Sequence, residues 1–375
     1  MLLARHGHDV VVVDRARFPS DTLSTHGILR PGVVQLSRWG LLADVLASGA
    51  PPVRQVSFRV GAAEDVRTVK DAASVDLLVA PRRYILDEIL ADAAVRAGAD
   101  VRFGVTATGL RREPGGRAGG IHARDDSGEP VELSARFVVG ADGMRSRLAR
   151  AVAAWVVHEH PTDNSSFYAY FGSVEWSGFE LHVGHPGLAG VFPTHGGEAC
   201  VWLCSPADAV EKLRAGGRGR DAALVELIGR VSPSLADRLR AAHCTSTVRG
   251  AVRLPNHLRQ AHGPGWALVG DAGYHRDAIT GHGISDAFRD AELLARALDR
   301  VLSGAVDEAD ALASYERQRD ALLAETYRLT CALSEYPEPG RFVALQRQLA
   351  QAIDDEARFL AAPPLLPEPV EEVAA

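Results

Sequence analysis

Three short stretches place acids and glycines where they could hold an anionic ligand that carries a sugar. In "VVVVD" a run of valines ends on Asp14, with Arg15 beside it. An acid at the carboxyl end of a parallel strand is positioned to hydrogen-bond a ribose hydroxyl pair. In "FVVGADGMRSR" a strand runs into Asp142 and Gly143, where glycine permits close backbone approach, and a helix with Arg145 and Arg147 at its start follows. In "WALVGDAGYHRDAITGHGISDAF" the strand delivers Gly270, Asp271 and Ala272, and a Gly-His-Gly turn at 281–283 opens a second helix. Free N–H groups and the positive dipole end make that helix start a place for negative charge.

The elements needed to position these residues are those of a doubly wound α/β sheet. The continuous apolar run 10–13 reads as a strand buried on both faces. Residues 31–47 open on Pro31 and carry helical spacing, as a helix or a broken helix pair. Residues 53–79 alternate as half-exposed antiparallel strands. The helical period returns in "RRYILDEILADAAVRAGA", with Gly98 as its stop. Strands around a Gly-rich turn follow, in "VRFGVTATGL" and "GGIHARDDSG". Residues 156–250 read as a β-rich layer apart from a helical stretch at roughly 208–242. The helix from Gly283 is expected to bury a stripe of Ile284, Ala287, Ala291, Leu294 and Leu298. Helices continue to about residue 360, and the Pro- and Glu-rich tail 361–375 is expected to be disordered.

A chain of 375 residues with 46% hydrophobic composition can bury one large core or two smaller ones. Its net charge of −7, with no basic block, leaves no electrostatic footprint for nucleic acid or an anionic membrane. No run of about 20 apolar residues suggests a membrane span. The N-terminus lacks the features of a secretory leader, so a cytoplasmic location is expected. Four cysteines in this length argue against a disulfide framework. Cys200 and Cys204 fall on one face of a strand as ordinary core, and no metal site is expected.

The "GADG" at 140–143 and "GD" at 270–271, in this order and separation, give the chain a resemblance to the FAD-dependent aromatic hydroxylases, the class A flavoprotein monooxygenases, over roughly residues 1–330. The resemblance implies an FAD-binding Rossmann-like doubly wound sheet, its first strand missing, with an inserted antiparallel β-rich substrate domain. The FAD-binding domain would comprise 1–52, 80–155 and 251–310, the substrate domain 53–79 and 156–250, and the C-terminal helices 311–360. Asp14 and Arg15 would meet the adenosine ribose, Arg30 the pyrophosphate, and Arg83 a position near the cofactor. Asp142 and Gly143 would serve FAD and the hydride donor. Gly270, Asp271 and Ala272 would meet the ribityl and pyrophosphate groups, and Gly283, Ile284 and Ser285 the flavin pyrimidine ring. NADH or NADPH is implied as a transient hydride donor, and O2 with a small aromatic or polyketide-like molecule as substrates.

The chain departs from the family pattern in two places. Only thirteen residues precede Asp14, so the glycine-rich loop, the first strand and most of the first helix are expected upstream of Met1. Met1 is then expected to be an internal methionine of a longer gene product, the rival being a truncated, non-catalytic remnant. The family's proline before the loop at the flavin edge is replaced by Ala278, which is expected to loosen that loop. His275 and His282 flank it and are expected to be solvated.

The nearest alternative is a flavin reductase resembling the geranylgeranyl reductases. A flavin-dependent halogenase is disfavoured because no Trp-x-Trp-x-Ile-Pro segment occurs, "VEWSGFELH" being the nearest tryptophan context. Among Tyr168, Tyr170, Phe171, Phe179, Phe192 and Trp202, about two are expected to line a pocket and the rest to be core.

Overall fold

The computed structural model describes residues 1–71, 74–208 and 219–362. Part of the 208–242 stretch and almost all of the 361–375 tail lie outside the described residues.

Two parallel strand pairs carry the motif loops. Val11–Asp14 pairs with Asp100–Phe103, and Val138–Gly140 pairs with Trp266–Leu268. The helix Arg83–Arg96 leads into the first pair and ends before Gly98 (φ +94°), where the reversed backbone favours glycine. The valine strand is not buried on both faces: Val11 and Val12 are each 41% exposed. Among the described residues its edge away from Asp100–Phe103 carries no strand, so an apolar edge meets solvent.

Residues 31–47 form two helices, Arg30–Arg38 with Pro31 in its first turn and Leu42–Ala47, broken at Gly40 (φ +74°). The helix Gly283–Leu302 is buried over much more than the expected stripe. Leu294 and Leu298 are in the core, but Ala291 is exposed, and Asp286, Arg289, Asp290 and Glu292 are buried. Hydrophobic periodicity cannot register such a face, because its charges are satisfied largely by distant partners: Arg276 for Asp286, Glu356 for Arg289, and Gln35, Arg38 and Trp39 for Glu292.

The largest sheet has eight strands. Across it lie His243–Cys244, Asn164–Gly172, Glu198–Pro206, Gly187–Pro193, Phe179–Gly184, Gln55–Val60 and Ala63–Thr68, with Arg249–Val252 also paired to Asn164–Gly172. Phe179–Gly184 joins Gln55–Val60 in parallel, which brings two distant stretches of sequence into one sheet. The period of two sorts its side chains. Phe167, Phe171, Val201 and Leu203 pack on the helices Arg220–Val231 and Pro233–Ala241. Tyr168, Tyr170, Phe179, Phe192, Cys200, Trp202 and Cys204 face the other way. There they meet Ile279 and the helices Glu308–Ser334 and Pro339–Ala361 through Leu329, Leu333 and Phe342. Each large side chain buried here is worth about 2 kcal/mol, which holds the sheet against the 278–280 turn.

Four cysteines are free, three of them buried. Among the described residues no helix is long and apolar enough to cross a membrane, and no cluster suits a metal ion.

Candidate functional site

Val138–Gly140 and Trp266–Leu268 run side by side, Gly140 opposite Leu268, so Asp142 and Asp271 emerge from the same ends of adjacent parallel strands. In an open α/β sheet this rim is where ligands bind. Asp142 accepts the backbone N–H groups of Arg147 (2.6 Å) and Leu148 (3.4 Å), which caps the short helix Arg147–Ala151 together with Ser146. Arg259 donates to the carbonyls of Met144 and Ala272, both at 3.3 Å, and so ties the two turns together. Gly270 has φ +52°, and a Cβ there would sit 3.1 Å from that of Ala287; the turn needs glycine for both reasons. Asp271 is exposed and Ala272 buried.

The turn from Arg276 to His282 is clamped, contrary to the looseness expected from Ala278. Arg276 forms a bidentate pair with Asp286 at 2.8 and 2.7 Å. Asp277 donates its N–H to Asn256 (2.6 Å), and its carboxylate accepts from Ile279 N–H (2.9 Å), Asn164 (3.0 Å) and Thr162 (3.3 Å). Thr280 bonds Thr330 at 3.1 Å. Side-chain hydrogen bonds thus fix the backbone that proline would have stiffened.

His275 and His282 are buried, not solvated. His282 Nδ1 donates to the Thr280 carbonyl at 2.7 Å. Burial first, and then Arg276, depress its pKa to about 3, so it is a neutral imidazole with an unprotonated Nε2. Beneath it Arg289 is fully buried, donating to Asp286 (3.0 Å), Asp290 (2.9 Å), Glu356 (2.9 Å) and Tyr274 (2.9 Å). Glu356 comes from the C-terminal helix, which is thereby anchored beneath the turn.

This helix start fits an anionic, polar cofactor. A Cβ added at Gly283, Gly281 or Gly143 would meet nothing within 4 Å. His282 Nε2, Ser285 Oγ, Arg276 Nη1 and Arg30 Nε are buried without partners. The starts of two helices converge here, since a Cβ at Gly32 would lie 2.7 Å from Ser285 Oγ. Ile284 is half-buried beside them.

The other residues singled out in the sequence have local partners. Asp14 accepts Ala16 N–H at 2.8 Å and, like Arg15, is exposed. Arg30 pairs with Asp354 of the C-terminal helix, and Arg83 with Asp87 one turn along its own helix.

Sequence reasoning missed a second cluster, on the inner face of the large sheet. His26 Nε2 lies 2.8 Å from the Tyr170 hydroxyl, and its Nδ1 3.2 Å from the Ala80 carbonyl. Arg82 lies over the Tyr170 ring, 3.5 Å from its centroid, and pairs with Asp21 (3.1 Å) and Glu198 (3.2 Å). Arg249 also reaches Asp21, at 3.3 Å. Burial, and then Arg82, hold the His26 pKa near about 3. The available signal was a histidine in "STHG" four residues before Arg30, and an arginine directly before Arg83.

A parallel-strand rim, a glycine-lined helix start and an opposing aromatic sheet define a dinucleotide-binding flavoprotein fold. The chain belongs to the family described as FAD binding domain, which it matches over residues 1–330.

The chain is similar to the digeranylgeranylglycerophospholipid reductase of Methanocella arvoryzae, 29% identical over 247 residues, 64% of this chain and 59% of the relative. A second such reductase, from Methanosarcina mazei, is 26% identical over 59% of this chain, which spans 53% of that relative's length. The menaquinone reductase of Mycolicibacterium smegmatis is 26% identical over 86% of this chain and 76% of the relative. Among solved structures, PqsL, a probable FAD-dependent monooxygenase from Pseudomonas aeruginosa, superposes with a TM-score of 0.79 at 23% identity, covering 92% of this chain and 94% of that one. The flavin-dependent brominase Bmp2, as a triple mutant, gives 0.82 at 17% identity, covering 96% and 91%. At these identities the structural likeness is one of fold, shared by monooxygenases and halogenases.

Proposed function

We propose that the chain acts as an FAD-dependent, NAD(P)H-using monooxygenase that hydroxylates an aromatic or polyketide-like small molecule. The observation that carries this reading is the aromatic face of the large sheet, Tyr168, Tyr170, Phe192 and Trp202, packed toward Ile279 in the turn that precedes Gly283. A planar substrate held between the two would be shielded from water. Bound FAD would supply the redox chemistry with O2, and the protein the binding, orientation and electrostatics.

In this reading Gly283, Ile284 and Ser285 direct N–H groups and the helix dipole at the flavin pyrimidine edge, where negative charge develops on reduction. Gly270, Asp271 and Ala272 meet the ribityl and pyrophosphate groups, and Asp142 and Gly143 the dinucleotide. Asp14 and Arg15 meet the ribose. Arg30 would exchange Asp354 for the pyrophosphate, and Arg83 would lie near the cofactor. The FAD-binding domain would comprise 1–52, 80–155 and 251–310 and the β-rich substrate domain 53–79 and 156–250, although Val156–His160 pairs with Asn256–Arg259 across that division.

The test is NAD(P)H oxidation by the FAD-loaded chain with aromatic probes, under air and without oxygen, with 18O2 labelling of the product. Label in the product supports hydroxylation. The similarity to digeranylgeranylglycerophospholipid and menaquinone reductases favours a second reading, reduction of an isoprenoid double bond. Saturation of a prenyl probe without oxygen would establish that reading instead.

A further inference from the structure

Away from the glycine turns, the open edge of the large sheet meets the C-terminal helix around a cavity. Gln55–Val60 and Ala63–Thr68 end the sheet. Phe58 and Val60 alternate onto one face, and Ala63 joins them there because it stands opposite Val60 in the register. The N-terminal half of Pro339–Ala361 brings Val343, Gln346 and Arg347 against that face. The two elements do not close on each other and leave about 190 Å³ between them. An apolar cavity of about 150 Å³ takes a benzene ring, so this one has room for an apolar body of about six to eight carbons.

The rim of the cavity is charged, and its charges do not balance. Arg59 pairs with Glu64 at 2.8 Å and Arg67 with Asp65 at 2.7 Å, so two cations answer the two acids. Arg67 is held in addition over the Phe58 ring, 5.2 Å from its centroid. Arg347 is exposed and, among the described residues, has no ion pair or hydrogen bond. Asp65 is within electrostatic reach of it, but that carboxylate already accepts two hydrogen bonds from Arg67. Gln346 is 8% exposed, and its amide likewise has no partner among the described residues. A polar group so deeply buried normally finds one. Apolar walls with a guanidinium and an amide N–H at their edge are the complement of an apolar chain that ends in one negative charge.

We infer that this cavity is a binding site for a straight-chain carboxylate of about six to eight carbons, its alkyl body against Phe58, Val60, Ala63 and Val343 and its carboxylate on Arg347 and the Gln346 amide. An alkyl chain suits these walls because three of the four are aliphatic and the Phe58 ring has one face given to Arg67. The site is separate from the glycine turns. Arg347 precedes Asp354, the partner of Arg30, by about two helical turns, roughly 10 Å along the axis. Glu356, further along the same helix, is anchored by Arg289 beneath the 276–282 turn. A ligand that ties the start of this helix to the sheet therefore stabilises the fold by mass action without entering the turn.

The experiment titrates the full chain at pH 7 with butanoate, hexanoate, octanoate and decanoate, with hexan-1-ol as the neutral counterpart, and follows ligand line broadening by NMR. Affinity is expected to rise about fourfold per methylene and to level off from octanoate to decanoate, where the chain outgrows the cavity. Hexanoate should bind about tenfold more tightly than hexan-1-ol, the size of a charge-assisted hydrogen bond. Arg347→Gln, at an exposed residue without a partner, should erase that preference and leave the alcohol unchanged. Gln346→Leu should reduce the preference without loss of thermal stability, because it removes an unpaired buried amide. Ala63→Phe, which fills the mouth of the cavity, should weaken every ligand at least about tenfold. Affinity that climbs without levelling off means partition onto apolar surface and overturns the inference. A hexanoate preference that survives Arg347→Gln overturns it too, as does the absence of saturable binding up to about 10 mM. Benzoate binding more tightly than hexanoate would overturn the assignment to an alkyl chain. If Ala63→Phe fails to fold, Arg347→Gln still decides. None of these readouts depends on FAD, so their outcome is independent of the monooxygenase reading.

Discussion

The carboxylate of Asp290 accepts the backbone N–H of Gly270 at 3.0 Å, so the helix that begins at Gly283 reaches back to hold the strand-end turn bearing Asp271. Asp286, one helical turn earlier, holds Arg276 on the far side of the same loop. Asp290→Asn cannot satisfy both Gly270 N–H and Arg289 with its single carbonyl oxygen. We expect a loss of about 1–3 kcal/mol in urea unfolding and weaker FAD retention after desalting. Unchanged retention would show that the turn holds itself.

Gly283→Ala separates folding from cofactor binding. Alanine meets nothing within 4 Å there, and it favours the helix by up to about 1 kcal/mol over glycine. The unliganded chain should be as stable as the parent or more so, while FAD affinity falls at least about tenfold if the flavin lies where the proposed function puts it, because the methyl group would occupy that space. Equal FAD affinity would place the cofactor elsewhere.

The clamp on the 276–282 turn predicts an order of effects. Asp277→Ala removes the acceptor for Ile279 N–H, Asn164 and Thr162, and should raise peroxide release per NAD(P)H oxidised. Ala278→Pro should change coupling little and add no more than about 1 kcal/mol of stability, since Asp277 at φ −53°, ψ 139° already has the conformation a following proline demands. A larger gain in coupling from the proline than loss from Asp277→Ala would contradict this.

Acid should destabilise the fold well above the carboxylate range. Burial depresses the pKa values of His26 and His282 from 6.5 to about 3 and that of His257 to about 4, aided by Arg82, Arg276 and Arg259 respectively. The unfolded chain binds these protons first, so the stabilisation is complete above pH 6.5 and is lost as pH falls toward the folded values. Each histidine contributes a slope of up to about 1.4 kcal/mol per pH unit across that window. Urea midpoints at pH 7, 6 and 5 give the slope, and His26→Asn should make it shallower. A flat profile between pH 7 and 5 would mean that these imidazoles are not buried.

The Arg289 cluster should respond unequally to its two ends. Arg289→Ala leaves Asp286, Asp290 and Glu356 without their shared cation and should cost about 3–5 kcal/mol. Burial pushes the Glu356 carboxyl toward its protonated form, so Glu356→Gln, which still accepts from Arg289, should cost about 1 kcal/mol or less. Differential scanning calorimetry of both variants checks the order.

The elements that carry the motifs were legible because each rests on a local rule. Glycine with positive φ at 40, 98 and 270 breaks or turns the chain wherever it stands, and alternation in 164–172 and 198–206 puts Tyr168, Tyr170, Cys200, Trp202 and Cys204 on one face. Five of the six aromatics singled out share that face, and only Phe171 packs on the other. The strand-end acids Asp142 and Asp271 were legible for the same reason, since a buried strand must end in a turn.

Contacts between distant segments lay beyond the sequence. Whether Val11 and Val12 are buried depends on a neighbour across the sheet edge, and whether the 276–282 turn is loose depends on Asn164, Asn256 and Thr330 from three other elements. The direction of the Tyr170 proton is set by a carbonyl 54 residues from His26 along the chain. The sequence by itself determined which residues could turn, cap, bind a phosphate or line a face, because those properties belong to the residue and its near neighbours. The tertiary structure alone decided which buried polar groups are paired and in which direction, because a hydrogen bond needs two partners within about 3 Å and chain order does not place them there.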